Sequence, residues 1–203
     1  LNLERISMPI PRRALLASAI YAGVAPVSRV LAQSGEPFPV PESEAKKVPY
    51  KFQRREMAYK TQEPPGTIVV DAKRCFLYHV SESGQAMRYG VSVGKASKAW
   101  RGEAVIKRMA KWPVWVPAPY HLEEIPSLAK HINGMPGGLD NPMGARALYL
   151  YQGEVDTINR IHGSAKPSEI GSKKTAGCIA MLNIDIIHLY ERVALGTRVV
   201  VIG

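Results

Sequence analysis

Residues 161–181 run Ile-His-Gly-Ser-Ala-Lys-Pro-Ser-Glu-Ile-Gly-Ser-Lys-Lys-Thr-Ala-Gly-Cys-Ile-Ala-Met. A β-branched run, Thr157 to Ile161, delivers His162 at its end, and one of only two cysteines, Cys178, follows a glycine. A free thiol titrates near ~8.5, so only a few per cent of it is thiolate at neutral pH. A nearby imidazole corrects this by taking the proton, and a third group must hold the ring in the right tautomer. Gly177 lets the main chain approach a carbonyl closely. The N–H groups of Gly177 and Cys178 are candidate oxyanion donors.

Outward from this stretch the chain alternates like a sheet protein. Thr67 to Asp71 follows Pro65-Gly66. Cys75 to Val80 and Met87 to Val93 flank a Glu82-Ser83-Gly84 turn and predict a hairpin. Ala104 to Met109, Trp112 to Val116 and Ala147 to Tyr151 are further strand candidates, and Glu123 to His131 predicts a short helix. Residues 133–144 hold four glycines and two prolines, which predicts a long loop. After Cys178, Asn183 is placed to cap a helix whose Ile186, Leu189, Tyr190 and Val193 recur at helical spacing. Gly196 ends that helix, and Thr197 to Ile202 closes the chain as a buried strand. The expected fold is mostly β, sandwich- or barrel-like, with one or two short helices.

The first 32 residues predict an export signal. Arg12 and Arg13 precede the apolar run Ala14 to Ala25, and Val30-Leu31-Ala32 offers a small-x-small cleavage site, with Met8 available as an initiating residue. The run is about half the ~20 residues that span a bilayer, so a stable membrane span is not expected. From Ser34 to Lys47, Gly-Glu-Pro-Phe-Pro-Val-Pro-Glu-Ser-Glu-Ala-Lys predicts a flexible linker. The expected organisation is thus a signal over 1–32, a linker and extension over 33–63, and a catalytic domain over 64–203. Net charge is +10, but the basic residues lack the aromatic interleaving of a nucleic-acid module. That excess suits a solvated surface or an anionic polymer such as cell wall. The histidines show no ligand spacing with carboxylates or cysteines, so no metal is expected. With Cys178 as nucleophile, Cys75 is left as a small core residue. A Cys75–Cys178 redox pair is the alternative.

His162-Gly163-Ser164, Ile170-Gly171, and Thr175-Ala176-Gly177-Cys178-Ile179 with Met181 resemble the active-site signature of the L,D-transpeptidase (YkuD-type) catalytic domain family. Pro65-Gly66-Thr67-Ile68-Val69-Val70, Arg88-Tyr89-Gly90-Val91, Trp112-Pro113-Val114-Trp115, Gly134-Met135-Pro136-Gly137-Gly138 and Asn141-Pro142-Met143-Gly144-Ala145-Arg146-Ala147-Leu148 extend the likeness to most of 64–202.

The resemblance implies a β-rich domain with a cysteine in a cleft roofed by a loop. It implies attack on the third, diaminopimelate residue of a peptidoglycan stem peptide, release of D-alanine, and transfer of the acyl group to a stem peptide, an anchored protein or water. It makes Cys178 the nucleophile, His162 the general base, the Gly163 carbonyl the group orienting it, and Gly177 and Cys178 the oxyanion hole. Thr175, Ala176, Asn141 and Arg146 are the expected substrate neighbours. No metal or organic cofactor and no nucleic acid is implied, and the place of action is the periplasm of a bacterium.

Two departures stand out. Thr175 replaces the family's serine, and Ala180 its arginine. Losing one charged hydrogen bond costs on the order of 1.5–3 kcal/mol, a ten- to few-hundred-fold slowing. A wall-binding module with a weakened site is therefore the alternative from another class. An L,D-carboxypeptidase or amidase, with water as acceptor, is the alternative within the same chemistry.

Overall fold

The computed structural model describes residues 35–95 and 100–203. The export segment expected over 1–32 lies outside the described residues, among which no helix is long and apolar enough to cross a membrane. Among the described residues nine strands form one sheet: β1 (Arg55–Ala58), β2 (Ile68–Asp71), β3 (Phe76–Val80), β4 (Gln85–Ser92), β5 (Gly102–Lys111), β6 (Arg146–Gln152), β7 (Val155–His162), β8 (Ile179–Met181) and β9 (Arg198–Ile202). Their order is β1-β4-β3-β2-β9-β5-β6-β7-β8, and β8 also pairs with β4, which closes the sheet into a barrel-like form. The mostly-β expectation holds. Closure removes the free edge that β8 would otherwise present.

The interior is aliphatic, as β-branched strands packing a shared core require. Ile68, Val70, Leu77, Val91, Ile106, Leu148, Leu150, Ile161, Ile179, Met181 and Val199 share one buried cluster with Ile186, Ile187 and Leu189 of α2 (Asn183–Tyr190). Strand alternation therefore decides the site. On β6 and β7, Leu148, Leu150 and Ile161 face this core, so Ala147, Tyr149, Arg160 and His162 face the other way.

Three local expectations are corrected. Trp112 to Val116 is not a strand: Pro113 removes a ladder donor, Trp112 has φ 45°, and Trp115 makes only an isolated bridge to Met135. The helix expected over Glu123 to His131 is instead α1 (Pro119–Glu124) followed by a 3-10 turn (Pro126–His131). Pro126 disfavours helical backbone at the residue before it, which breaks the helix at Ile125.

Nor is the proline-rich segment after Ser34 a free tether. Glu42–Lys47 and Tyr50–Phe52 form 3-10 turns, and Arg55–Ala58 pairs with β4. Val40 and Phe52 pack on the core, and Glu44 is 6% exposed.

Candidate active site

β7 and β8 run parallel, with Ile161 opposite Ile179 and His162 opposite Ala180. On its other side His162 pairs with Ala147 of β6. The imidazole thus stands between two alanines, which give the ring room. One further step along the same register brings Cys178 opposite Arg160, on the face that carries His162. The strand register therefore gathers His162 and Cys178 although sixteen positions separate them.

The approach to Cys178 is tied to β4. Gly171 N–H donates to the Val91 carbonyl at 2.9 Å, Val93 N–H to Ser172 at 3.1 Å, and Thr175 N–H to Val93 at 3.1 Å. The Thr175 hydroxyl donates to the Cys178 carbonyl at 2.5 Å, and Gly177 N–H reaches Thr175 Oγ1 at a long 3.4 Å. Thr175 thus holds the turn that presents the thiol. Gly177 has φ 143°, which a side chain would resist, so glycine is required just before Cys178. Ala176 is exposed beside this turn.

His162 Nδ1 lies 2.5 Å from the Gly163 carbonyl. A carbonyl only accepts, so Nδ1 carries the hydrogen and Nε2 keeps the lone pair a general base needs. The main chain around Gly163 is itself fixed. Asn183 Oδ1 accepts from Ala145 N–H at 2.9 Å, and its Nδ2 donates to the Ser164 carbonyl at 3.2 Å. A Cβ on Gly163 would fall 2.3 Å from Asn183 Oδ1, so this packing also demands glycine.

Asn183 is therefore not the cap expected for α2. Its side chain is drawn away to these two loops, and Glu44 Oε2 accepts from Ile184 N–H at 2.8 Å in its place. We expect Asn183→Ala to cost about 2–4 kcal/mol, from two buried partners left unpaired, and to lower turnover by letting the Gly163 carbonyl move. Urea unfolding and initial rates check both.

Burial sets the protonation of the pair. It pulls His162 down to about 4, with the Arg160 charge acting in the same direction and the Gly163 carbonyl opposing. Burial also pushes the Cys178 thiol up, against the Arg160 main-chain N–H and charge, which lower it. At pH 7 the resting pair is thus neutral thiol and neutral imidazole. The sign of each shift sets an expected profile. The acid limb of kcat/KM falls well below 6.5, because His162 stays neutral until near its depressed value. Alkylation of Cys178 by iodoacetamide keeps rising from pH 7 to 9. A plateau in alkylation below pH 7 would contradict a neutral pair.

Two of the expected substrate neighbours lie elsewhere. Asn141 is fully buried: its Nδ2 donates to the carbonyls of Pro113, Met135 and Pro136 at 3.0–3.1 Å, and its Oδ1 accepts from Met143 N–H at 2.8 Å. It ties its own loop together and to Pro113. Arg146 is 1% exposed and, by strand alternation, on the core side of β6, bonded to Glu36 and lying 5.3 Å over the Tyr190 ring. Both polar groups are consumed by the fold. Cys75 is buried and both cysteines are free.

Two residues go unnoticed in the sequence. Tyr120, on α1, lies near the thiol; burial raises its phenol first, and the Cys178 charge raises it further. Arg160 stands opposite Cys178. Neither carries a motif; loop geometry places the first and strand register the second.

A model of the L,D-transpeptidase catalytic domain (YkuD) matches residues 65–201. The chain belongs to this family. It is similar to the probable L,D-transpeptidase ErfK/SrfK of Escherichia coli K12, with 29% identity over 140 residues, 68% of this chain and 44% of that protein. The Salmonella typhimurium LT2 protein of the same name is 31% identical over the same shares. The chain thus spans less than half the length of these two relatives.

Among solved structures, a Brucella melitensis protein described as a probable carnitine operon oxidoreductase is 43% identical. The match covers 79% of this chain and 99% of that one, with a TM-score of 0.52. An L,D-transpeptidase mutant from Enterococcus faecium shares the fold at TM-score 0.51 and 15% identity, over 68% of this chain and 50% of that one. In this L,D-transpeptidase domain, Ala180 is 5% exposed and pairs with His162 on one side and Ser92 on the other.

Proposed function

We propose that the protein is an exported cysteine L,D-transpeptidase that acts on peptidoglycan stem peptides in the periplasm, and so serves wall biogenesis and cell shape. The observation that carries this reading is the Nδ1–H bond from His162 to Gly163, which leaves Nε2 as a base on the face of β7–β8 that carries Cys178.

His162 Nε2 takes the thiol proton as Sγ attacks the diaminopimelate carbonyl, forming the C–S bond. The oxyanion is held by Gly177 and Cys178 N–H groups. His162 then gives its proton to the leaving nitrogen, the C–N bond breaks, and D-alanine departs from the thioester. An amine of a second stem peptide attacks the thioester, its proton passes to His162, and as the C–S bond breaks His162 gives that proton to the sulfur, returning the thiol and the neutral imidazole. Neutral starting partners suit this sequence, because the proton moves only as charge develops.

The test is incubation of the protein with disaccharide-tetrapeptide. D-alanine release with cross-linked dimers is expected. Trimmed monomers alone would make water the acceptor, and no release would reject the reading.

A further inference from the structure

Two rows of residues cross the face of the sheet that carries the nucleophile. One is Ala110, Ala147, His162 and Ala180. The next is Arg108, Tyr149 and Arg160, paired strand to strand, and it ends at Cys178 on the same register. Arg108 and Arg160 lie over the Tyr149 ring at 4.4 and 4.5 Å. The second row therefore stacks two guanidiniums on Tyr149, and Arg160 is the one next to the thiol in the row.

Arg160 is held in an unusual way. In a regular strand residues four apart are ~13 Å from each other, yet Asp156 reaches Arg160 with both oxygens, at 2.7 and 2.8 Å. A bulge makes this possible. Tyr149 pairs with Arg160 while Tyr151 pairs with Asp156, so Thr157 to Asn159 fold out of the ladder. Ile158 takes φ 63° there, a costly conformation for a β-branched residue, and the Asp156 carboxylate accepts its N–H at 2.8 Å.

A donor count shows what the clamp leaves over. Nη1 donates to Asp156 and to the Asn159 carbonyl, and Nη2 donates once to Asp156. Of the five N–H groups, Nε–H and the second on Nη2 have no protein acceptor among the described residues. These two are parallel, the edge of arginine that grips a carboxylate with two bonds.

The donor has a group to match, on the transpeptidase reading above, on which this inference rests. Its leaving residue carries a free carboxylate roughly one Cα–Cα step, ~3.8 Å, beyond the attacked carbonyl. The main chains of Arg160 and Cys178 lie one strand spacing, ~4.8 Å, apart, within the span of an arginine side chain. We propose that Arg160 binds the terminal carboxylate of the donor peptide through its Nε/Nη2 edge, so that a free C-terminal acid marks the accepted donor. The charge of Arg160 is felt at the site, since it lowers both the thiol and the imidazole.

The test compares disaccharide-tetrapeptide with its C-terminal amide, following release of D-alanine or D-alaninamide. The wild-type protein should prefer the acid roughly 10- to 100-fold in kcat/KM, the range of a two-bond charged contact. In Arg160→Met the acid rate should fall far more than the amide rate, taking the ratio towards one. Arg160→Lys, a point charge without the fork, should fall between. A merely structural arginine would lower both donors alike. A wild-type ratio near one overturns the inference without use of any variant, as does an undiminished preference in Arg160→Met. A wild-type protein that consumes neither donor overturns the transpeptidase reading itself.

Discussion

Replacing Cys178 by alanine should lower D-alanine release by roughly 10⁴-fold or more, since the other thiol, Cys75, is buried in the core. His162→Gln should cost roughly 10²–10⁴-fold, the span of a lost general base. The second loss should sit at the high end. Burial raises the thiol, so little thiolate exists without the imidazole to take its proton. The double variant should be no slower than Cys178→Ala alone, because the two groups act on one step and their losses do not add. Initial rates of D-alanine release for the four proteins check this. Independent, multiplying losses would break the proposed pairing.

The largest stability effect is expected at Glu36→Ala. Glu36 and Arg146 form a buried ion pair, with side-chain exposures of 14% and 2%. Glu36 also accepts the Trp112 indole N–H at 2.6 Å, and Phe38 packs edge-on against that indole at 4.8 Å. Removal leaves the guanidinium with the Ala145 carbonyl, whose bond at 2.8 Å does not balance its charge, and its Nε has no partner.

Breaking a buried pair from one side costs about 3–5 kcal/mol. In a chain this size that lowers Tm by roughly 10 °C, readable by calorimetry. The pH dependence has a definite sign. The Arg146 hydrogen bond holds Glu36 below its ordinary value of 4.5, so the pair stabilises above that value and fades as pH falls through the depressed one. The difference between wild type and Glu36→Ala should therefore shrink in acid.

Glu36 also shows where the sequence falls silent. Its neighbours, Pro37, Phe38, Pro39 and Pro41, have the composition of a tether, yet its partner lies 110 positions away. Glu44 is similar, reaching the α2 terminus across 140 positions. Nothing local predicts such contacts. The strands were legible because alternation and β-branching are local, and His162 with Cys178 because their flanking glycines form an ordered motif.

Asn141 and Arg146 belong to that same run of motifs but serve its folding, a distinction that burial reveals and spacing does not. Arg160 is the converse case. It lies two residues before His162 without a motif of its own, and only the β7–β8 register and the bulge at Ile158 bring its charge beside the thiol.

The central claim is that the sulfur of Cys178 carries the acyl group between donor and acceptor. Intact-protein mass spectrometry after brief mixing with disaccharide-tetrapeptide tests it most directly. The wild-type protein should gain the mass of the donor less D-alanine, mapped to the Cys178 peptide, and Cys178→Ala should gain nothing. An adduct that persists in Cys178→Ala, or D-alanine release by the variant at the wild-type rate, would contradict the account.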